Sequence, residues 1–297
     1  MVIFTLRSSM DIPITYYAFL ANLPEYNRRL TMREFASNGA KHLIVNDQMF
    51  NELMLNSNLA KKLLKEMAEE GLSFVDGHAP AGEFLDLNCP DESFRNEMIA
   101  RHKLVINIAA SMGLKTLTIH CGLDFVTASV PLETHIARTK DALEKILPEA
   151  EKCDVIVAIE NIWTPNCHPD VLLDIKKDFP TDYLGLCYDS GHANLLDKNH
   201  VNCFNQTQND WLKILKLDDV KWEDKALEKM LPHVVNCHLH DNDGSWDVHG
   251  RIGSGNIDWK HIKSLLMQAP KLKCIQSETP NASIRETCDD MWKFIAL

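Results

Sequence analysis

The sequence predicts an α/β fold, the (β/α)8 or TIM barrel, as a single domain over residues 1–297. Three observations carry this. Short apolar runs rich in Val, Ile and Leu alternate with amphipathic stretches of helical length, and eight such runs can be counted. A chain of 297 residues suits eight strand–helix repeats. A doubly wound open sheet, the rival, usually carries a glycine-rich first turn, and none is present here.

The runs follow in order. "VIFTLRS" (2–8) is the weakest candidate for the first strand. "KHLIVN" (41–46) is the second, "LSFVDGH" (72–78) the third and "KTLTIH" (115–120) the fourth. "DVIVAIE" (154–160), "YLGLCYD" (183–189), "VVNCHLH" (234–240) and "KCIQSE" (273–278) complete the set. Between them, "DESFRNEMIARHKLVINIAASMG" (91–113) reads as a helix that starts at a capping aspartate and stops at Gly113. "PLETHIARTKDALEKILPEAEKC" (131–153) reads as another. Residues 198–232 break the rhythm, being long, polar and tryptophan-containing. They are expected to form a helical insertion between strands six and seven.

Composition narrows the class. No stretch approaches the roughly 20 apolar residues of a membrane span. The start, "MVIFTLRSSMD", has no basic region ahead of its apolar run, so no signal peptide is expected. Nine cysteines scattered without a CxxC pair point to reduced thiols and a cytoplasmic location. A net charge of −11 argues against a nucleic-acid partner. A homo-oligomer is compatible with the sequence but not required by it.

The strand ends carry the chemistry. Strand three ends in His78, four in His120 and five in Glu160. Strand six ends in Asp189, with His192 three residues on. Strand seven ends in His238, His240 and Asp241; the loop after it holds Asp247 and His249. Strand eight ends in Glu278. In a barrel these carboxyl ends converge on the face where active sites are built. Imidazole mixed with carboxylate suits a divalent transition metal, zinc or manganese before magnesium, with room for more than one ion. Each residue also has a plainer reading. A single histidine at a strand end is more often a satisfied polar group than a ligand, and Asp189 can serve only as a helix cap. His240, two residues beyond His238 with Leu239 between, is read either as pointing away from the face of His238 or, by strand alternation, as sharing it. Asp241 then serves as a cap or orients a histidine. Cys121 and Cys187 read as packing residues. Six consecutive strands ending this way is the joint signal.

These residues resemble the xylose-isomerase-like barrel superfamily, which includes sugar phosphate isomerases and epimerases and endonuclease IV-type apurinic endonucleases. "AIEN" (158–161), "DSGH" (189–192), "HLHDNDG" (238–244) and "DVHGRIGSGNIDW" (247–259) carry the resemblance. In the epimerase branch it implies metal ligation by Glu160, Asp189, a strand-seven histidine and Glu278, with Glu160 and Glu278 as acid and base and His192 on substrate or metal. In the endonuclease branch it implies a multinuclear zinc site of His78, His120, Glu160, Asp189, His192, His238, Asp247, His249 and Glu278. Two features depart from that branch. The loop "APAGEFLDLN" after His78 lacks the tyrosine-bearing segment that penetrates DNA, and His238 to Asp247 is a short spacing.

The expected activity is therefore metal-dependent isomerisation or epimerisation of a sugar or sugar phosphate through an enediolate. The alternative is an endonuclease IV-like zinc phosphodiester hydrolase. Catalytic candidates are Glu160, Glu278 and His192. Substrate candidates are His240, Trp163, Trp246, Arg251, Gly253, Ser254 and Gly255. The stretch "RIGSGNI" (251–257) offers free amides just before a helix, which suits a phosphate; equally, its glycines serve only to turn the chain.

Overall fold

The computed structural model describes residues 12–122, 130–197, 199 and 221–297. Eight parallel strands close into a barrel in chain order. They are β1 (Ile14–Tyr16), β2 (His42–Val45), β3 (Ser73–His78) and β4 (Thr116–Ile119), then β5 (Ile156–Glu160), β6 (Leu184–Asp189), β7 (Val234–Leu239) and β8 (Ile275–Ser277). The helices around them are α1 (Glu25–Ser37), α2 (Asp47–Leu55), α3 (Ser57–Glu69), α4 (Glu92–Ser111) and α5 (Leu132–Cys153). They continue with α6 (Pro169–Asp178), α7 (Ser190–Leu195), α8 (Ala226–Met230), α9 (Trp259–Leu266) and α10 (Ile284–Ala296).

Two expectations change. The first barrel strand is not residues 2–8, which lie outside the described residues. It is Ile14–Tyr16, which pairs with β2 on one side and β8 on the other and so closes the ring. Only three residues long and preceded by Pro13, it lacks the apolar run that marks the other strands. The expected insertion between strands six and seven lies largely outside the described residues. Its described end contains α8 and a single 3-10 turn, Leu231–His233.

The long helices obey their local signals. The Asp91 side chain accepts from the Ser93 amide and starts α4, as its position predicts. α10 opens with a capping box, Ser283 with Glu286. Strand residues facing outward, such as Leu117, Ile119, Val157 and Ile159, join Val105, Ile106, Leu143 and Ile146 of α4 and α5 in one buried cluster. Each such side chain contributes about 2 kcal/mol by leaving water.

The barrel interior is mixed: a small apolar cluster of Ala158, Cys187 and Val235 sits on one side, and a polar network fills the other. Residues two apart on a strand share a face, so Asp76 lies below His78, Thr116 and Thr118 below His120, and Asn236 below His238. Asn236 on β7 donates across the barrel to Asp76 on β3 (3.2 Å) and to Thr118 on β4 (2.9 Å), which only inward-facing side chains can do. Thr116 donates to Asp76 at 2.6 Å. Burial pushes the Asp76 carboxyl above its ordinary value. A hydrogen-bonded plug thus supports the strand ends from beneath.

His102 ties α4 to the loop after β3, its Nε2 donating to the Leu85 carbonyl at 2.6 Å. Burial depresses its imidazole to about 4. Below pH ~6.5 the unfolded chain takes up a proton that the fold refuses until pH 4, so stability falls as pH falls through that window. At about 1.4 kcal/mol per pH unit the loss reaches about 3 kcal/mol. Thermal melts from pH 7 to 4 are expected to show a flatter acid limb in His102→Asn than in the native protein; parallel limbs refute this.

Candidate active site

Nine of the singled-out side chains line one cavity of 440 Å3 at the carboxyl ends of the strands. They are His78, His120, Glu160, Trp163, His192, Trp246, Asp247, His249 and Glu278, with Ile162 beside them. Asp189 and His238 lie beneath, fully buried.

The donors form three groups, the first two sharing Glu160. In the first, His78 Nε2, His120 Nε2 and Glu160 Oε2 lie 3.1, 3.2 and 3.5 Å from one another. His78 Nδ1 donates to the Ala79 carbonyl at 2.9 Å, so its Nε2 presents a lone pair. In the second, His238 Nδ1 is 3.3 Å from Glu160 Oε1, 3.0 Å from Glu278 Oε2 and 4.0 Å from Asp189 Oδ2. In the third, His192 Nε2 and His249 Nε2 are 3.1 and 3.4 Å from Asp247 Oδ2, with His240 close by. His192 Nδ1 donates to the Asn161 carbonyl (2.9 Å) and His249 Nδ1 to the Glu278 carbonyl (3.3 Å), so both turn Nε2 lone pairs toward Asp247.

These groups fit metal ions. Ligands at about 2.0–2.1 Å around a tetrahedral ion stand about 3.3 Å apart, close to the separations here. Glu160 Oε2, His238 Nδ1 and Asp247 Oδ1 are buried without a directed hydrogen bond, an expensive state unless something else satisfies them. The two Glu160 oxygens face different groups, so this carboxylate can bridge. Another acidic group, His168, Asp170 and Glu223, lies elsewhere, and Lys221 and Lys229 already pair with its carboxylates.

With protons alone as counter-charge, the site pairs off internally. Burial opposes the charged forms of Glu160 and Glu278, yet the surrounding imidazoles, His238 with His120 and His192 at Glu160 and His238 with His249 at Glu278, together outweigh it and hold both carboxyls well below the usual range. Burial likewise opposes charge on His249, but Asp247 and Glu278 raise it to about 9. His192 rises well above its ordinary value because Asp189 and Asp247 outweigh its burial.

Several supports carry no metal-binding signature in the sequence. Asn161 donates to the Asp189 carbonyl (3.0 Å) and accepts from its amide (2.8 Å), locking the ends of β5 and β6 together. Its place beside Glu160 in "AIEN" was the available signal. Thr118 on β4 faces His238 Nε2 at 3.3 Å across the barrel. Gly191 leaves room for the His240 ring, since a Cβ there would lie 1.9 Å from its Cε1. The ring is fully buried, stacked on His249 at 3.9 Å and bonded to Asp189 Oδ2 at 3.0 Å, so it cannot yield cheaply. Gly191→Ala is expected to destabilise the protein by about 1–3 kcal/mol, as overpacking does, and to weaken metal binding. Unchanged melting and unchanged metal content would contradict this.

The glycine loop is placed differently from the substrate candidates. Arg251 is engaged by Asp290 and Glu286 at 2.7 Å each. The Gly253 amide donates to Asp241, Ser254 bonds back to the Arg251 carbonyl at 2.6 Å, and Gly255 packs on Asn242. None of the four lines the cavity. Of the two readings of this loop, the turn accounts for its contacts.

The pattern that defines the xylose isomerase-like TIM barrel family matches residues 37–291. The chain belongs to this family. Among curated relatives, it is 26% identical over 215 residues to an uncharacterised protein of Methanocaldococcus jannaschii, covering 70% of this chain and 64% of that one. An uncharacterised protein of Sinorhizobium fredii is 24% identical over 59% of this chain and 50% of its own. The chain thus spans only half to two thirds of these relatives. Solved structures of similar fold include a D-tagatose 3-epimerase-like protein (TM-score 0.71, 18% identity, 96% of this chain and 97% of that one). The 3-keto-D-glucoside 4-epimerase of E. coli follows (0.68, 14%, 97% and 100%). A third, the IolI protein, was solved with a bound zinc atom (0.68, 17%, 95% and 96%). At these identities the likeness shows the shared fold. Among the described residues, no helix of this xylose isomerase-like barrel is long and apolar enough to cross a membrane.

Proposed function

We propose that the protein is a metal-dependent isomerase or epimerase of a small sugar or sugar phosphate, working through an enediolate. One observation carries the reading. Glu160 and Glu278, from well-separated strands, approach the same His238 nitrogen at 3.3 and 3.0 Å on the floor of an indole-walled cavity. Glu160, Asp189, His238 and Glu278 would hold a divalent transition ion, zinc or manganese by the ligand types, which would supply Lewis acidity at a substrate carbonyl. The protein's own part is proton movement and placement. One glutamate takes the proton from the carbon beside the carbonyl, and the other returns one on the opposite side. His192 holds a substrate hydroxyl, and Trp163 and Trp246 cover the apolar face of the ring and exclude water. A cavity of 440 Å3 suits a single small molecule. The sugar epimerases among the solved structures of this fold support the substrate class. The eight described cysteines are free, which supports a reducing, cytoplasmic setting.

The test is deuterium uptake. The metal-loaded protein, incubated in heavy water with ketoses and ketose phosphates, is expected to exchange one carbon-bound proton of its substrate, seen by NMR. No exchange across the panel removes the reading's main support.

A second reading, multinuclear phosphodiester hydrolysis, is favoured by the third donor group, which a single-ion epimerase does not need. The net charge of −11 opposes a polyanionic substrate. Duplex DNA with an abasic site is expected to remain intact at physiological salt. A metal-dependent nick that disappears in Glu278→Gln would promote the hydrolase.

A further inference from the structure

Asp241 carries a role that neither reading assigns. It directly follows His240 and is fully buried. Its backbone amide and carbonyl pair with Gly250 at 2.9 and 2.8 Å, an isolated antiparallel bridge that closes the loop between them. Its side chain then gathers the segment beyond. Oδ2 accepts from the Gly253 amide and the Trp259 indole, both at 2.8 Å, and Oδ1 lies 3.4 Å from the Ile257 amide. A Cβ on Gly255 would stand 2.4 Å from Oδ1, so the glycine lets the loop close on the carboxylate. The amides that suited an external anion are thus engaged by an anion of the chain itself.

The closed loop contains Asp247 and His249. His249 adopts φ +47°, a left-handed conformation that a histidine holds only when its surroundings impose it. The bridge one residue later, at Gly250, is that imposition. We infer that Asp241 is a positioning residue: its carboxylate clamps the 250–259 segment and thereby aims Asp247 and His249 at His192, building the third donor group without touching it. The carboxylate replaces the solvation of three N–H groups at once, and a neutral amide in its place turns an N–H toward donors.

Asp241→Asn separates this role from general support. Two measurements on the full chain are needed. The first is Co2+ binding, by equilibrium dialysis and visible absorption, beside His249→Ala, which removes one donor directly. The expected result is that Asp241→Asn weakens, by at least about tenfold, the same Co2+ equivalents that His249→Ala removes. The Co2+ held by Glu160, Asp189, His238 and Glu278 is retained. The second is amide hydrogen exchange without metal, expected to show lost protection confined to residues 242–257 while β7 and β8 stay protected. The cobalt arm rests on the metal reading above; the exchange arm does not. Native protein that binds no Co2+ therefore sinks the metal reading, and the exchange result still decides the clamp. Unchanged Co2+ binding and unchanged exchange overturn the inference. So does uniform weakening of every Co2+ equivalent with loss of protection throughout, which marks a general structural role. If Asp241→Asn does not fold, Trp259→Phe removes one of the donors to Oδ2 and is expected to give the same selective pattern in weaker form. No selective effect in that variant overturns the inference too.

Discussion

Glu278→Gln and Glu160→Gln are each expected to reduce proton exchange by about 100- to 10,000-fold, the range that a positioned acid or base supplies. Each change keeps the shape of the side chain and removes the base. The two variants are expected to differ in a second respect. Glu160 stands in two donor groups through its two oxygens, whereas Glu278 stands in one. Glu160→Gln is therefore expected to lower metal content more than Glu278→Gln. Elemental analysis of each variant beside its exchange rate separates loss of ion from loss of base. Exchange that survives both substitutions at full occupancy would reduce the glutamates to ligands and move the base to His192, which lines the cavity.

Removing metal is expected to lower the melting temperature by roughly 10 °C. Four carboxylates, Glu160, Asp189, Asp247 and Glu278, meet in a site largely closed to water. An ion present at 1,000 times its dissociation constant stabilises the fold by about 4 kcal/mol, and in a chain of this size each kcal/mol moves the midpoint by a few degrees. The gap is expected to widen with pH. In the metal-free protein His249 is raised to about 9, so its contribution is complete below pH ~6.5 and is lost as pH rises toward 9. Metal binding moves the opposite way, because it requires the deprotonated ligands. Melting curves with and without chelator at pH 6.5 and 8.5 check both the size and the sign. A chelator that changes neither curve would remove the ions from the account.

Much of this site was legible in the sequence because its chemistry sits at strand ends, and strand ends can be read from apolar runs. The seven runs from "KHLIVN" to "KCIQSE" each became a strand, and every metal candidate falls in the same cavity or directly beneath it. What stayed hidden depends on register. Asp76, Thr118 and Asn236 look like unremarkable polar interruptions until the barrel closes and brings β7 across to β3 and β4. The first strand was hidden because its three residues carry too little apolar signal beside the stronger run at 2–8. The glycine loop invited an external anion because nothing local says that Asp241, twelve residues earlier, fills that place. The Trp259 indole was hidden for the same reason, since its partner lies across the loop.

The two-residue spacing that stacks Asn236, His238 and His240 on one face makes the protein unequally sensitive to kinds of genetic lesion. Exchanging Leu239 for another apolar residue keeps every ligand facing inward. Losing a single codon within β7 does not, because all residues beyond the break change sides at once. The helices outside would still find an apolar surface of a sort, while the imidazoles would point into them. Small in-frame deletions in these strands should therefore be selected against more severely than most missense changes at the same positions. The loop that carries Trp163 has no such parity to protect, whereas the loop of Trp246 is held to length by the Asp241–Gly250 bridge and the ligands it carries.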